Sequence, residues 1–211
     1  MKRYIISTTL PDFENLYDFS SFHKQLDNPD SMWAEYKQPI KSSLCKRLNN
    51  KPINQLTLED IAVLYTMEDA RYMQESYRAD GDFIKWLADA WEWHEEDFRS
   101  CYDWVHTFTF PLKIYRAVTN EQELTQDISG KSRAWSWTTD PNLYTASNSI
   151  FRKCEHIYSA EIDANLISNI NTIRQYVFYS SRPSYGRYPE YEVTLKKHFK
   201  MSDLHNLTKI K

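Results

Sequence analysis

The chain has 211 residues, of which 41% are hydrophobic and 15% aromatic, so it can bury the core of a single domain. Its formal net charge of -3 gives no global electrostatic attraction to nucleic acid or to a membrane surface. No run of apolar residues is long enough to cross a bilayer, and we therefore expect no membrane span. The sequence contains only three scattered glycines, which excludes the glycine-rich phosphate-binding loops.

The cysteines and the N-terminus indicate the compartment. Cys45, Cys101 and Cys154 are odd in number and lack the paired spacing of a disulfide framework or a zinc site. The first residues are basic but are followed by almost no apolar segment, so we expect no signal peptide. These features predict reduced thiols in a cytoplasm.

The first half of the chain has helical patterns. Residues 1–50 are predicted to form short helices and loops. Thr57 has the character of an N-cap, and apolar residues follow it at helical spacing as far as Met73. The segment 80–82 breaks this pattern, and a second helix is predicted from Phe83 to about Val105.

The second half alternates like β-strands. The pattern predicts strands over residues 112–118, 133–139, 156–162, 175–180 and 190–199. Residues 142–150 could instead form a short helix. The lysine-rich tail that follows the last predicted strand, through Lys211, is expected to be a solvated end, with contact to RNA, DNA or an acidic partner as the alternative. Helices first and strands afterwards predict an α+β fold.

Two glutamates lie two residues apart at the entry to the last predicted strand. Because side chains alternate along a strand, Glu190 and Glu192 share one face, while Tyr191, Val193 and Leu195 share the buried face. A solvated strand face is the simpler interpretation. Two like charges held this close are unfavourable, however, which makes the pair a candidate functional site.

Three motifs occur in a fixed order: Tyr115-Arg116 in a strand, the hydroxyl-rich segment 136–141, and the Glu-x-Glu pair. From Arg116 to Thr138 is 22 residues, and from Thr138 to Glu192 is 54. The order resembles the arginine–serine–glutamate class of ADP-ribosyltransferases, the toxin-like enzymes that cleave NAD and transfer its ADP-ribose. The resemblance covers residues 110–199.

The resemblance implies a role for each motif residue. Glu192 is expected to stabilise the positive charge that develops on the ribose, and Glu190 to orient or deprotonate the nucleophile. Arg116 is expected to hold the ribose or the diphosphate. Thr138 would fix the catalytic glutamate through its hydroxyl, although Ser136, two residues earlier on the same face, is an alternative.

Further residues are implied by the same resemblance. An aromatic ring is expected to clamp nicotinamide, and a basic residue to bind phosphate; the candidates are Tyr144, Tyr176 and Phe178 for the ring, and Arg152 and Arg174 for the charge. The loop before the glutamate pair is expected to recognise the acceptor through Tyr185, Arg187 and Tyr188. The acidic aromatic segment 91–97 lacks the second histidine of a zinc protease, and no metal is expected.

The predicted protein is therefore a cytoplasmic mono-ADP-ribosyltransferase that uses NAD as substrate and modifies a protein or nucleic acid. Residues 1–107 would form a helical part packing on an ADP-ribosyltransferase-like core over residues 108–211, with a small mixed β-sheet and the NAD cleft. Similar short enzymes include toxins held by an antitoxin, anti-phage defence enzymes and phage effectors. Two alternatives stay open: an NAD glycohydrolase with the same site, and a non-enzymatic module that binds protein or nucleic acid.

Overall fold

A computed structural model describes residues 9–19, 43–72, 83–119, 136–144, 156–180, 191–196 and 199–211. Its α-helices before the sheet are α1 (Phe13–Leu16), α2 (Ser43–Asn50), α3 (Leu58–Tyr72) and α4 (Phe83–His106). The remaining elements are β1 (Leu112–Val118), β2 (Ser136–Thr138), β3 (His156–Ile162), α5 (Asn169–Ser180), β4 (Glu192–Thr194) and β5 (His205–Lys209). Helices α1 to α4 precede the first strand as predicted, whereas α5 lies between β3 and β4, and the α+β class is confirmed.

Helix α3 begins where its sequence predicts. The Thr57 hydroxyl accepts a hydrogen bond from the Asp60 backbone N–H at 3.1 Å, and the Asp60 carboxylate accepts one from the Thr57 N–H at 3.0 Å. These reciprocal bonds satisfy two donors at the start of the helix. The same buried carboxylate also accepts from the Tyr17 hydroxyl at 2.8 Å and from the Lys51 ammonium at 2.7 Å. Asp60 thereby ties α3 to two segments that precede it in the chain.

The five strands form one sheet in the order β4-β2-β1-β3-β5, and all four strand pairs are antiparallel. A mixed sheet was expected, so this detail differs. The strands predicted over 112–118 and 156–162 have those bounds and pair along their whole length. The predicted strand over 133–139 is represented by β2, and that over 190–199 by β4 with a further bridge at Leu195.

In the C-terminal half one predicted strand is wrong, and one observed strand was not predicted. Residues 175–180 belong to the 12-residue helix α5, whose buried positions Ile170, Ile173 and Val177 follow a helical period. The tail beyond Phe199 is not simply a solvated end, because residues 205–209 form β5 and pair with β3. The lysines of that tail that are described, Lys200, Lys209 and Lys211, are nevertheless exposed.

Helix α5 covers the outer edge of β4. The Ser168 backbone N–H donates to the Thr194 carbonyl at 2.8 Å, and the Thr194 N–H donates to the Thr172 hydroxyl at 3.0 Å. Asn169, at the start of α5, donates from its side-chain amide to the carbonyls of Leu48 and Lys51, at the end of α2 and just beyond it. The strand that begins with Glu192 is therefore held by a helix and not only by its neighbour in the sheet.

One hydrophobic core joins the helices to one face of the sheet. Helices α3, α4 and α5 pack on each other, and their apolar faces bury Leu64, Phe98 and Ile173 completely. On the sheet, Trp137 and Val193 belong to the same cluster. The opposite face of β1, β2 and β4 instead has polar side chains, and it includes Ser136, Thr138 and Glu192 of the candidate site.

Candidate active site

The residues of the three motifs lie on adjacent strands. Strand β2 lies between β1 and β4, and its pairs place Thr138 opposite both Tyr115 and Glu192, and Ser136 opposite Thr194. Because directly paired side chains share a face, these five residues lie on the face away from the helices. Residues that are far apart in sequence thus meet on a surface three strands wide.

Ser136 and Glu192 are joined by a hydrogen bond. The Ser136 hydroxyl donates to the Oε1 atom of the Glu192 carboxylate, diagonally across the β2–β4 pair. A hydrogen bond from a hydroxyl to a charged carboxylate is about twice as strong as a hydrogen bond between two neutral groups. Both side chains are half-buried. The carboxylate is therefore fixed in direction and still open to solvent.

Arg116 is connected to the same pair through the backbone. Its guanidinium Nη1 atom donates to the carbonyl oxygen of Ser136. By strand alternation, Arg116 shares the helix-packed face with Ile114 and Val118, and its guanidinium reaches the Ser136 carbonyl in the plane of the sheet. Arg116, Ser136 and Glu192 thus form a hydrogen-bonded series across β1, β2 and β4.

Thr138 has a different local role. Its hydroxyl accepts a hydrogen bond from the Asp140 backbone N–H at 3.0 Å, which closes the turn at the end of β2. The side chain is 2% exposed. Of the two hydroxyls that the sequence left as alternatives, the structure therefore shows that of Ser136 on the Glu192 carboxylate.

The backbone just before Glu192 has an uncommon conformation. Tyr191 has a φ angle of 44°, in the left-handed region that bulky residues avoid. Its carbonyl accepts a hydrogen bond from the Thr139 N–H at 3.1 Å, which holds this conformation against the end of β2. Local strain of this kind is frequent at functional sites and is kept only where surrounding contacts enforce it.

A cleft of about 520 Å³ lies at the end of the sheet, and Tyr191, the residue before Glu192, lines it. Arg116, Ser136, Thr138 and Glu192 are not among its lining residues. The start of β1, the end of β2 and the residue before β4 form one wall, and the end of α4 forms the other. Its lining residues are Trp104, Thr107, Phe108, Thr109, Pro111, Leu112, Lys113, Thr139, Asp140, Pro141 and Tyr191. This volume falls in the range of ligand sites for small molecules.

An aromatic cluster supports the cleft from the helical side. The rings of Trp104 and Tyr176 are stacked, with centroids 4.8 Å apart and an interplanar angle of 16°. Tyr191 lies 5.8 Å from Trp104 and 6.3 Å from Tyr176, and Phe108 meets Trp104 edge-on at 5.0 Å. Burial, with smaller contributions from Cys101 and Tyr191, raises the pKa of Tyr176 to about 12. The hydroxyl of Tyr176 is therefore held in its neutral form.

The other predicted residues have varied positions. Tyr176 is buried on α5, and Phe178 lies on the same helix, where its ring is 5.0 Å from the Arg174 guanidinium. Tyr144 ends a short 3₁₀ helix that begins at Pro141, beside the cleft. The predicted residues outside the described part of the chain are Arg152, Tyr185, Arg187, Tyr188 and Glu190.

Sequence reasoning missed the cleft because its wall is assembled from distant segments. Trp104 lies in the last turn of α4, a helix whose aromatic residues are typical of a core, and Lys113 has the pattern of an ordinary exposed strand residue. The one available signal was Tyr191, which precedes Glu192. It was assigned to the buried face, and it is in fact half-buried and lines the cleft.

Within the described ranges, no three side chains of the His, Cys, Asp and Glu type are arranged to hold a metal ion. No helix there has the length and apolar character needed to cross a bilayer. Comparison with protein-family models, with curated proteins and with solved structures found no match to this chain.

Proposed function

We propose that this chain is an NAD-dependent mono-ADP-ribosyltransferase that transfers ADP-ribose to a macromolecular acceptor. The observation that supports this function is the hydrogen-bonded series from Arg116 through Ser136 to Glu192. It joins an arginine, a hydroxyl and a carboxylate, the three residue types of the resemblance, from three adjacent strands. A solvated strand glutamate does not need such support.

In the proposed reaction, the bond between the ribose C1′ atom and the nicotinamide nitrogen breaks, and its electron pair leaves with nicotinamide. Positive charge then develops on the ribose ring, as in the cleavage of glycosides. The Glu192 carboxylate, held by Ser136, stabilises that charge because its direction is fixed before the reaction begins. The acceptor then forms a bond to C1′ and gives up its proton to a base, the role predicted for Glu190.

Arg116 and Ser136 are positioning residues in this proposal. The Arg116 guanidinium fixes the carbonyl of Ser136, and the Ser136 hydroxyl fixes the Glu192 carboxylate. The resemblance gives Arg116 a second expected role, which is to hold the ribose or the diphosphate through its planar fork of donors.

The test is incubation of the purified chain with NAD labelled on its adenylate half, in cell lysate treated with nuclease or with protease. We expect the label in a macromolecular band, and the enzyme that removes the band identifies the acceptor as protein or nucleic acid. Glu192→Gln is the matched control, because it removes the charge while nearly keeping the shape of the side chain. It should lower NAD turnover by about 100-fold or more while the fold is unchanged.

Two results would contradict this proposal, and each would support a different function. Release of the label only as free ADP-ribose, again lost in Glu192→Gln, would make the chain an NAD glycohydrolase with water as acceptor. No consumption of NAD by the folded wild-type chain would leave a binding module in which the carboxylate has no catalytic role. A cytoplasmic location, and inhibition by an antitoxin or a similar partner, stay predictions from the resemblance.

A further inference from the structure

The cleft at the end of the sheet, next to Tyr191, combines aromatic surface with two opposite charges. Trp104, Phe108 and Tyr191 contribute rings, Lys113 contributes an exposed ammonium group, and Asp140 contributes a half-buried carboxylate. Prolines and threonines complete the wall. We infer that this cleft is the acceptor subsite and that it binds a nucleobase of single-stranded nucleic acid, an inference that deepens the proposed function and rests on it for the transfer step.

The aromatic wall is suited to stacking on a planar ring. Trp104 is half-buried, and stacking against Tyr176 fixes the plane of its indole. Proteins that bind single strands use such fixed aromatic side chains as platforms for bases. The cleft volume of about 520 Å³ accommodates a ligand of nucleoside size, which is larger than the head group of any single amino-acid side chain.

The two charged residues match the polar parts of a nucleotide. The Asp140 Oδ1 atom accepts a hydrogen bond from the Asn142 N–H at 2.9 Å, which fixes the carboxylate at the mouth of the turn. A fixed carboxylate accepts hydrogen bonds from the exocyclic amino group of a base. The ammonium group of Lys113, 5.9 Å from the centroid of the Tyr115 ring, supplies a cation for the adjoining phosphate.

The cleft adjoins the proposed chemistry. Tyr191 immediately precedes Glu192, and Thr139, which donates to the Tyr191 carbonyl, immediately follows Thr138. Lys113 and Tyr115 share the face of the sheet that has Thr138 and Glu192. The cleft wall is therefore continuous through the backbone with the strand positions of Thr138 and Glu192, one residue away in each strand.

A cationic protein side chain is the competing occupant. An arginine side chain could stack on Trp104 and pair with Asp140. Lys113 lines the same cleft, however, and its like charge offsets the attraction of Asp140, so the cleft gives a cation no net electrostatic advantage. A nucleotide uses both charges, and this favours nucleic acid over an arginine-bearing protein.

The experiment measures binding of the full chain, without NAD, to short fluorescein-labelled single-stranded RNA and DNA of mixed sequence. Fluorescence anisotropy is compared for the wild type, Trp104→Ala and Lys113→Ala. We expect Trp104→Ala to weaken binding by about 5- to 150-fold, the effect of one lost stacking contact. Lys113→Ala should weaken binding and reduce the slope of log affinity against log salt by about one phosphate contact.

Trp93→Ala is the matched control, since Trp93 lies on the same helix as Trp104 but is 66% exposed and does not line the cleft. It should bind like the wild type. Lys113 is exposed, so Lys113→Ala tests the cleft even where Trp104→Ala disturbs folding. Loss of affinity in Lys113→Ala together with an unchanged Trp93→Ala would support the inference.

The inference is overturned if the wild type binds neither oligonucleotide, or if Trp104→Ala and Lys113→Ala both bind as tightly as the wild type. It is also overturned where an arginine-rich peptide competes for the cleft and Lys113→Glu tightens its binding. Consumption of NAD by the wild type and by Glu192→Gln is measured separately. If the cleft variants lose oligonucleotide binding but the wild type consumes no NAD, the proposed transferase activity is wrong and the nucleobase site is retained.

Discussion

The helical layer and the polar face of the sheet are held together by different interactions. Around Phe98, packing of apolar side chains is the main stabilising contact, and the rings of Tyr65 and Trp91 lie 5.5 and 6.1 Å from its centroid. At the candidate site, single hydrogen bonds define the geometry, above all the bond of the Ser136 hydroxyl to Glu192 on the polar face and that of the Ser136 carbonyl to Arg116, which comes from the opposite face. Burial is spread over many contacts, whereas a fixed carboxylate depends on one or two. Stability and the proposed chemistry should therefore be separable by substitution.

The largest expected effect is on stability. Phe98 is completely buried, so Phe98→Ala leaves a cavity among its aromatic neighbours and should lower the free energy of unfolding by about 3–5 kcal/mol. Chemical denaturation followed by circular dichroism measures this loss. The exposed residue Trp93 on the same helix supplies the control, since Trp93→Ala should change stability by no more than about 0.5 kcal/mol.

At a temperature where Phe98→Ala is still folded, its NAD turnover per folded molecule should equal that of the wild type. A parallel fall in turnover and stability would show that the helical layer and the site are one cooperative unit. In that case stability and NAD turnover could not be changed independently by substitutions in the two regions.

The next effect distinguishes two hydroxyls on one strand. Ser136→Ala removes the donor to Glu192, and loss of a hydrogen bond to a charged group should lower kcat by about 10- to 100-fold. Thr138→Val keeps the shape of the side chain but removes the acceptor for the Asp140 N–H, so its main expected cost is about 1 kcal/mol of stability. Steady-state kinetics with NAD and thermal unfolding measure the two effects.

The reverse pattern, in which Thr138→Val lowers kcat more than Ser136→Ala does, would identify Thr138 as the hydroxyl that holds the glutamate. Ser136 and Thr138 can be compared directly because they lie on the same face of the same three-residue strand. Their different partners, and not their exposure or chemistry alone, then account for the difference.

The fold was predictable where a pattern extended over a whole element. Strands 112–118 and 156–162 alternate along their full length, and their predicted bounds match the structure. Helix α5 was missed because the segment 175–180, taken alone, is rich in aromatic and β-branched residues that favour strands. A window that included Ile170 and Ile173 shows the helical period. Strand β5 has no apolar alternation, because its residues are mostly exposed and it pairs at the edge of the sheet.

The candidate site was predictable in its members but not in its connections. The order and spacing of the motifs along the chain identify Arg116, Ser136, Thr138 and Glu192 as candidates. The pairing of β1, β2 and β4 places these residues on adjacent strands. Which hydroxyl meets the carboxylate depends on the register and diagonal of the β2–β4 pair, which a sequence does not encode locally. The cleft depends on the packing of α4 against the end of the sheet, so Trp104 and Lys113 had no shared signal.

A smaller effect tests whether Arg116 acts through Ser136. Arg116→Lys keeps the charge but loses the planar fork of donors, and we expect kcat to fall by about 3- to 10-fold. In the Ser136→Ala background the same change should have less effect, because the hydroxyl that Arg116 positions is gone. A double-mutant cycle on kcat measures the coupling. A rise in KM alone, with additive effects, would instead indicate that Arg116 acts by holding NAD.

The smallest effect at neutral pH concerns Tyr176, which joins the helical layer to the cleft through its stack with Trp104. Burial raises the pKa of its hydroxyl to about 12, above the ordinary value of 10. Below pH 10 both the folded and the unfolded chain keep this proton, so its contribution to stability is complete. As the pH rises from 10 to 12, the unfolded chain loses the proton first, and the contribution is lost, on the order of 2 kcal/mol.

Tyr176→Phe keeps the ring but has no proton to lose, so its stability should fall less steeply than that of the wild type over this range. Burial also raises the pKa values of Tyr17 and Cys101, but both groups are present in both proteins and cancel in the difference. Urea denaturation at a series of pH values measures the two slopes. Equal slopes would mean that the Tyr176 hydroxyl is hydrated in the folded chain. The hydroxyl end of Tyr176 would then be open to solvent, while its ring still stacks on Trp104.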